Sequence, residues 1–212
     1  MEYTQIRNLR LYNGDCMEFM KDVPDKYYEL AVVDPPYGIS INNNMGRRKG
    51  DKHSNYKKVT WDSKIPSDGY FKELMRISKN QIIWGGNYFY MSPTKCFIVW
   101  RKPQISEQMS FSMLEYAWTS FNSTSKEWIG MSNEKDRIHS CQKPVKLYEW
   151  IYINYAKEGD KILDTHLGSG SSAIAAYNVN MNLTFDGIEL DKEYFDGAVN
   201  RVRERTRQLS LF

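Results

Sequence analysis

The tetrapeptide Asp34-Pro35-Pro36-Tyr37, which directly follows the apolar run 30–33, is the sharpest chemical signal in the sequence. Two consecutive prolines fix the backbone and remove two N–H donors, so this corner offers acceptors, namely the Asp34 carboxylate and the Pro35 carbonyl. Tyr37 adds a flat ring beside them. An exocyclic amine of a nucleobase has two N–H donors and a π-face, so the corner matches it in polarity and shape. The alternative interpretation is an ordinary proline turn with a capping aspartate.

A second signal is a glycine-containing loop that follows the predicted strand 161–163, with the sequence Asp164-Thr165-His166-Leu167-Gly168-Ser169-Gly170. Glycines let the backbone turn tightly and approach a ligand closely. Glu189 follows the next predicted strand, 19 residues after Gly170, which is near the roughly 20 residues typical of an acid that holds ribose hydroxyls. This order of elements indicates a half-site for a nucleoside cofactor. Because only GxG is present, rather than GxGxxG, a dinucleotide is disfavoured.

Positive charge is concentrated in one segment of the chain. Residues 46–58 contain six positive residues and one acid, Asp51, so they carry a net charge of +5, and the rest of the chain carries −2 of the overall +3. The positive residues are Arg47, Arg48, Lys49, Lys52, Lys57 and Lys58. Such a concentration suits a segment that binds nucleic-acid phosphates. A solvated loop without a partner is the alternative.

The elements that must position these residues follow an α/β pattern, because short apolar runs alternate with longer amphipathic stretches. The predicted strands are residues 10–12, 30–33, 81–84, 96–100, 115–118, 161–164 and 184–188. The predicted helices are residues 16–21, 67–78, 145–156, 171–178 and 192–206. This order predicts a single doubly wound, mostly parallel seven-stranded sheet in one domain that spans residues 1–212. Two further stretches fit no regular element: residues 42–61, and residues 102–137 on both sides of the strand at 115–118. We expect these loops to contact a large substrate.

The composition excludes several classes of protein. Hydrophobic residues make up 41% of the chain, yet no apolar run approaches the length of a membrane span, which is roughly 20 residues. The N-terminus lacks the basic and apolar regions of a signal peptide. Cys16, Cys96 and Cys141 are few and far apart, which fits a reducing cytosol and predicts a cytoplasmic location. They form no zinc-binding pattern, so we expect no metal.

The two motifs together resemble the amino-methylating DNA methyltransferases, which act on adenine N6 or cytosine N4. Asp34-Pro35-Pro36-Tyr37 resembles their catalytic motif, in which the first residue is Asp, Asn or Ser and the Asp form is usual for adenine. Asp164 to Gly170 resembles their cofactor loop. The catalytic motif precedes the cofactor loop, which is the permuted order of the family's β group. The resemblance covers nearly the whole chain and implies a Rossmann-like fold that binds S-adenosylmethionine.

Further segments carry the same resemblance. Asn13-Gly14-Asp15 is similar to a segment that contacts the cofactor adenine. His139-Ser140-Cys141-Gln142-Lys143-Pro144 is similar to an HxxQKP segment at the methionine end of the cofactor. Gly85-Gly86-Asn87 is similar to a loop near the target base. The chain has Thr165-His166-Leu167 where the family more often has Pro-Phe, which leaves the roles of Thr165 and His166 open. The cofactor residues that the resemblance implies are Asp15, Asp34, His139, Gln142, Lys143, Asp164, Thr165, Leu167, Gly168, Ser169, Gly170 and Glu189.

The resemblance implies site-specific methylation of adenine N6 in a flipped-out base of double-stranded DNA, with Asp34, Pro35, Pro36 and Tyr37 as catalytic residues. The basic residues of 46–58 are expected to hold phosphates. Cytosine N4 is the nearest alternative, followed by an RNA or protein-amide substrate and by a catalytically inactive DNA-binding or scaffold protein. A nicotinamide dehydrogenase fits the sheet but not the proline corner. A second copy of the chain and a cognate restriction nuclease are further partners that such an enzyme allows.

Overall fold

A computed structural model describes residues 1–39, 61–109, 112–132, 136–138 and 141–207, and in this part of the chain nine strands form one sheet. The strands are β1 (Glu2–Ile6), β2 (Leu9–Asn13), β3 (Tyr28–Val33), β4 (Ser78–Trp84), β5 (Phe97–Arg101), β6 (Leu114–Thr119), β7 (Lys126–Ile129), β8 (Lys161–Asp164) and β9 (Thr184–Glu189). The α-helices are α1 (Cys16–Lys21), α2 (Asp68–Ile77), α3 (Val145–Tyr155), α4 (Ser171–Asn178) and α5 (Lys192–Arg207). None of these helices has the length and apolar composition needed to cross a membrane.

The sheet separates two hydrophobic layers, because successive side chains of a strand point to opposite faces. On β3, Leu30 and Val32 pack in a cluster with residues of α3, α4 and α5, whereas Ala31 and Val33 pack with residues of α1 and α2. All four side chains are buried. Burial on both faces explains why 30–33 is an uninterrupted apolar run. It also holds the end of β3, and therefore Asp34, in a fixed position.

The strand order across the sheet is β1-β2-β9-β8-β3-β4-β6-β5-β7. From β2 to β4 every neighbouring pair is parallel, so the carboxyl ends of five strands meet at one edge. That edge carries Asp15 after β2, Glu189 at the end of β9, Asp164 at the end of β8, Asp34 after β3 and Gly85 after β4. In open α/β sheets, ligands bind just outside the carboxyl ends of the strands. The fold therefore brings the two sequence motifs to one place.

The predicted mostly parallel sheet is confirmed, but the prediction of seven strands is wrong. All seven predicted strands are present, and the two additional ones, β1 and β7, are the edge strands. Their side chains are all exposed or partly exposed, so they lack the apolar alternation that identifies a half-buried strand. Because β7 lies at residues 126–129, the prediction of irregular structure throughout 102–137 is also wrong there.

Candidate active site

A cavity of about 1220 Å³ lies at the carboxyl edge of the parallel strands. It exceeds the roughly 300–1,000 Å³ of a typical small-molecule pocket, so it has room for a cofactor and a base together. The predicted site residues that line it are Asp15, Asp34, Pro35, Pro36, Tyr37, Gln142, Lys143, Thr165, Leu167, Gly168, Ser169 and Glu189. Asp164 and Gly170 are not part of this lining. The predicted residues outside the described part of the chain are His139, Arg47, Arg48, Lys49, Lys52, Lys57 and Lys58.

The proline corner is held in place by Asp62. The backbone N–H groups of Tyr37 and Gly38 donate to Asp62 Oδ1 at 2.8 and 3.0 Å, and Asp62 is buried. These are the first N–H donors after the two prolines, which have none. The Tyr37 hydroxyl in turn donates to Asp34 Oδ1 at 2.5 Å. The sequence analysis missed Asp62, because nothing in the local sequence connects position 62 with position 37.

The ring of Tyr37 lies against the backbone of Gly85 and stacks on Tyr88. A Cβ atom at Gly85 would lie 2.1 Å from Tyr37 Cε1, so only glycine permits this approach. The Tyr37 and Tyr88 ring centroids are 4.9 Å apart at an interplanar angle of 11°, and Phe89 packs edge-on at 6.2 Å. Tyr88 is 43% exposed and lines the cavity. The sequence analysis missed Tyr88, although it directly follows the Gly85-Gly86-Asn87 segment.

Lys143 joins the corner to a buried cluster of charges. Its ammonium donates to Asp34 Oδ2 at 2.5 Å and to the Tyr37 hydroxyl at 3.2 Å. The same ammonium lies 3.2 Å from Glu115 Oε2, and Glu115 Oε1 accepts a hydrogen bond from Lys102. The family resemblance assigned Lys143 to the methionine end of the cofactor, whereas the structure directs its ammonium to Asp34 and Tyr37 of the proline corner.

The charges of this cluster stabilise one another. Burial disfavours the charged form of Glu115, but the ammonium groups of Lys143 and Lys102 outweigh it and lower the pKa of that carboxyl. Burial likewise opposes the charge on Lys143, but the carboxylates of Asp34 and Glu115 raise the pKa of the ammonium. Both groups are therefore ionised at neutral pH. The sequence analysis missed Glu115 and Lys102; the only signal for Glu115 is its place as the one acid in the strand Leu114–Thr119.

On the other side of the cavity, the loop after β8 is organised around Asp164. Its side chain is buried; Oδ1 accepts from the His166 backbone N–H at 3.0 Å and Oδ2 from the Ser172 hydroxyl at 2.5 Å. Burial raises the pKa of Asp164 to about 7, with a further contribution from the carboxylates of Asp34 and Glu189, although both hydrogen bonds act in the opposite direction. An ionised Asp164 would therefore be stabilised by a cation bound in the cavity.

The two glycines of this loop, Gly168 and Gly170, have different structural roles. Gly168 has a φ of 54°, and its N–H donates to Glu189 Oε2 at 2.8 Å, while the Asp191 N–H donates to Glu189 Oε1 at 2.9 Å. Gly170 has a φ of 75° and is the N-cap of α4. A Cβ atom there would lie 3.0 Å from Val202 Cγ2, so Gly170 permits close packing on α5. Gly168 and Glu189 form the cavity wall, and Gly170 supports it from behind.

Thr165 and His166, whose roles the resemblance left open, form part of a buried network. The Thr165 hydroxyl lies 2.6 Å from the Tyr70 hydroxyl and 2.9 Å from His166 Nδ1. Burial lowers the pKa of His166 to about 4. The imidazole is therefore neutral at neutral pH and positions its neighbours.

Asp15 and Gln142 combine a place in the cavity wall with a local hydrogen bond. Asp15 is the N-cap of α1, and its carboxylate accepts from the Met17 N–H at 2.7 Å. Gln142 Oε1 accepts from the Ile138 N–H at 3.1 Å and is buried. Both hydrogen bonds fix the orientation of a polar side chain at the cavity.

Sequence comparison identifies related proteins. A family model described as "DNA methylase" matches residues 99–200. The Type II methyltransferase M.HinfI of Haemophilus influenzae is 24% identical over 247 aligned positions, which cover 92% of this chain and 68% of the relative. The Type II methyltransferase M.BglII of Bacillus subtilis is also 24% identical, over 245 positions that cover 89% of this chain and 67% of the relative. The chain is therefore similar to the amino-methylating DNA methyltransferases, and these matches support the predicted family.

Solved structures of methyltransferases share the fold of this chain. The crystal structure of an M1.HpyAVI–SAM complex has a TM-score of 0.62 and 21% identity, over 91% of this chain and 99% of the other. The PvuII DNA methyltransferase, which is cytosine-N4-specific, has a TM-score of 0.62 and 13% identity, over 97% and 93% of the two chains. The predicted methyltransferase fold and the predicted resemblance to this family are both confirmed.

Proposed function

We propose that this methyltransferase transfers a methyl group from S-adenosylmethionine to N6 of adenine at specific sites in double-stranded DNA. The Type II methyltransferase relatives support DNA as the substrate, and the SAM complex of M1.HpyAVI supports the methyl donor. Asp34 as the first residue of the corner favours adenine. The observation that carries the proposal is the corner itself, an aspartate and a proline carbonyl held at the wall of a cavity with room for a cofactor and a base.

The charges on one side of the cavity fit S-adenosylmethionine, which has an ammonium and a sulfonium. Among the described residues, Asp15, Asp164 and Glu189 form no ion pair. By contrast, Lys143 pairs with Asp34 and with Glu115, and Lys102 pairs with Glu115. We assign Asp164 to the methionine ammonium, Glu189 to the ribose hydroxyls and Asp15 to the adenine. Ser172 lines the cavity, and its hydroxyl donates to Asp164. When the cofactor binds, Ser172 would either release the Asp164 carboxylate or bridge it to the methionine ammonium. When bound, the cofactor supplies an electrophilic methyl group.

The corner would make the target amine nucleophilic. The lone pair of adenine N6 is delocalised into the ring, so the free amine is a poor nucleophile. If Asp34 and the Pro35 carbonyl accept its two hydrogens, the lone pair is localised on nitrogen. Hydrogen bonds to an ionised carboxylate are the strong kind, and the catalysis would consist mainly of positioning and electrostatics.

The target base must leave the duplex to reach this corner, at a cost of a few kcal/mol. Stacking of a base on an aromatic side chain returns roughly 1–3 kcal/mol. Because Tyr88 covers one face of Tyr37, we assign the stacking to this pair, in which Tyr88 is the exposed member. We assign the phosphates to Arg47, Arg48, Lys49, Lys52, Lys57 and Lys58.

Cytosine N4 is the second candidate for the methylated atom. Its exocyclic amine presents the same two hydrogens to the corner, and the cytosine-N4-specific PvuII enzyme shares the fold at a TM-score of 0.62.

Methyl-labelled S-adenosylmethionine and unmethylated plasmid DNA test the proposal, with the product digested to nucleosides. We expect the label in N6-methyladenosine. Label in N4-methylcytosine would keep the mechanism and change the base. No label with intact cofactor binding would contradict DNA as the substrate and lead to RNA and protein, and no cofactor binding would support an inactive scaffold.

A further inference from the structure

Both carboxylate oxygens of Asp34 already have donors in the structure. Oδ1 accepts from the Tyr37 hydroxyl at 2.5 Å and Oδ2 from the Lys143 ammonium at 2.5 Å. Each oxygen can accept a second hydrogen bond, so a target amine that donates to Asp34 would share the carboxylate with these donors. Lys143 is the stronger competitor because its hydrogen bond is charge-assisted. An ammonium that stays on Asp34 neutralises part of its negative charge and so weakens the carboxylate as an acceptor for the amine.

Lys143 has a second anionic partner within reach. Glu115 Oε2 lies 3.2 Å from its ammonium, so a small movement transfers the ammonium from one carboxylate to the other. The side chain of Lys143 is only 4% exposed, so it has little access to solvent, and an unpaired buried charge is costly. Glu115 therefore offers the one alternative among the described carboxylates within ion-pair distance of Lys143.

The remaining groups around the ammonium favour this movement. Lys102 binds the other oxygen of Glu115, which keeps that carboxylate oriented towards Lys143. The Trp84 ring, 5.1 Å from the Lys143 ammonium, flanks it with a π-face. The cluster contains two cations and two carboxylates, so moving Lys143 changes the partners and leaves the sum of the charges at zero.

We propose that Glu115 is a positioning residue that takes the Lys143 ammonium from Asp34 when the target amine enters the corner. The inference rests on the proposed function, because it assumes that Asp34 receives an amine. In the free corner Lys143 holds Asp34 in its orientation. During base binding Glu115 retains the ammonium, and the full negative charge of Asp34 faces the amine.

The test compares Glu115→Gln with Glu127→Gln in the complete chain. Glu127 is an exposed partner of Arg101 on the same sheet and does not line the cavity, so it is a matched control for the loss of one carboxylate. We expect Glu115→Gln to lower kcat/KM for DNA roughly tenfold or more, with the affinity for S-adenosylmethionine unchanged, because Lys143 then has only Asp34. Glu115→Asp keeps the charge and should recover part of the loss.

A double-mutant cycle with Lys143→Gln separates positioning from a structural role. If Glu115 acts through Lys143, adding Glu115→Gln to Lys143→Gln costs no further activity. Equal losses from Glu115→Gln in both backgrounds, together with a lower Tm, would overturn the inference in favour of a structural role. An active wild type with an unimpaired Glu115→Gln variant would overturn this inference alone. A wild type that binds the cofactor but methylates no DNA would contradict the proposed function and this inference together.

Discussion

Asp34 carries the most direct chemical assignment at the scale of single residues. We expect Asp34→Ala to lower the rate of methyl transfer by roughly 10²–10³-fold or more, the usual effect of removing one preorganised group. Cofactor affinity should stay within about tenfold, because Asp164, Glu189 and Asp15 remain. The measurements are labelled transfer and calorimetric cofactor binding, with Asp34→Asn as the variant that keeps the shape without the charge. Near-normal turnover of the alanine variant would refute the catalytic assignment.

Asp164 should make the cofactor-free protein less stable as pH rises. Its pKa of about 7 lies above the ordinary 3.8, so the folded state binds the proton more tightly than the unfolded state. The free energy of unfolding therefore falls as the pH rises from about 3.8 to about 7, and it stays low at higher pH. We expect Asp164→Asn to be more stable than wild type above pH 7 by up to a few kcal/mol, and to bind S-adenosylmethionine more weakly.

The Tm of cofactor-free Asp164→Asn and wild type, measured as a function of pH, checks this expectation. Asp22→Asn, a change at an exposed aspartate that does not line the cavity, serves as the control. The advantage of Asp164→Asn should disappear towards pH 4. An advantage that is constant across this range would show that the ionisation of Asp164 is not its cause.

A single residue could be predicted from the sequence only where its chemistry is evident from its neighbours along the chain. Asp34 directly follows an apolar run and Glu189 follows a predicted strand, and the sheet places both at one edge. Glu115 and Lys143 could not be paired in advance, because their contact depends on how β6 and the segment before α3 come together. Asp62 is recognisable only from the two N–H groups that it accepts.

At the scale of elements, the turn after β4 positions the Tyr37 ring. Gly85 has a φ of 71°, and a Cβ atom there would overlap Tyr37. Gly159 has a φ of 77°, and a Cβ atom there would have no neighbouring atom within 4 Å, so it is a matched control. Gly85→Ala and Gly159→Ala should each cost roughly 1–2 kcal/mol for the left-handed backbone, but only Gly85→Ala should also displace Tyr37.

We therefore expect Gly85→Ala to abolish most methyl transfer while cofactor binding persists, and Gly159→Ala to retain activity. Thermal denaturation and labelled transfer measure the two effects separately. If both variants lose activity in proportion to their stability, the fit between Gly85 and Tyr37 is irrelevant to the reaction.

The same scale explains what the sequence could predict of the fold. β3 and β8 are buried on both faces, so their apolar runs identified them directly. β1 and β7 are held by pairing with a neighbour, β1 with β2 and β7 with β5, and their own side chains contribute little apolar burial. Edge strands of this kind form because they pair with a neighbouring strand in the folded protein. The hydrophobic periodicity of their own sequence therefore does not predict them.

At the scale of the whole molecule, the uneven distribution of charge should govern DNA binding. Neutralising Arg47, Arg48 and Lys49 should weaken binding to all DNA sequences alike and flatten its salt dependence, because fewer counterions are released. Filter binding or fluorescence anisotropy at several salt concentrations measures the slope. Lys95 and Lys157 are exposed residues before β5 and β8, at the opposite edge from the cavity, and their neutralisation is the control. An unchanged slope in the first variant would show that the segment does not contact phosphates.

The strand order also has a consequence for synthesis of the protein. β3 lies between β8 and β4, and β2 between β1 and β9, so the centre of the sheet combines early and late parts of the chain. A ribosome delivers the early strands first, and pairings between distant segments form slowly. Until β8 and β9 emerge, β2 and β3 each have an unpaired edge, which is prone to aggregation. The growing chain therefore exposes these edges during synthesis, and it has no assembled cavity until β8 and β9 have joined the sheet.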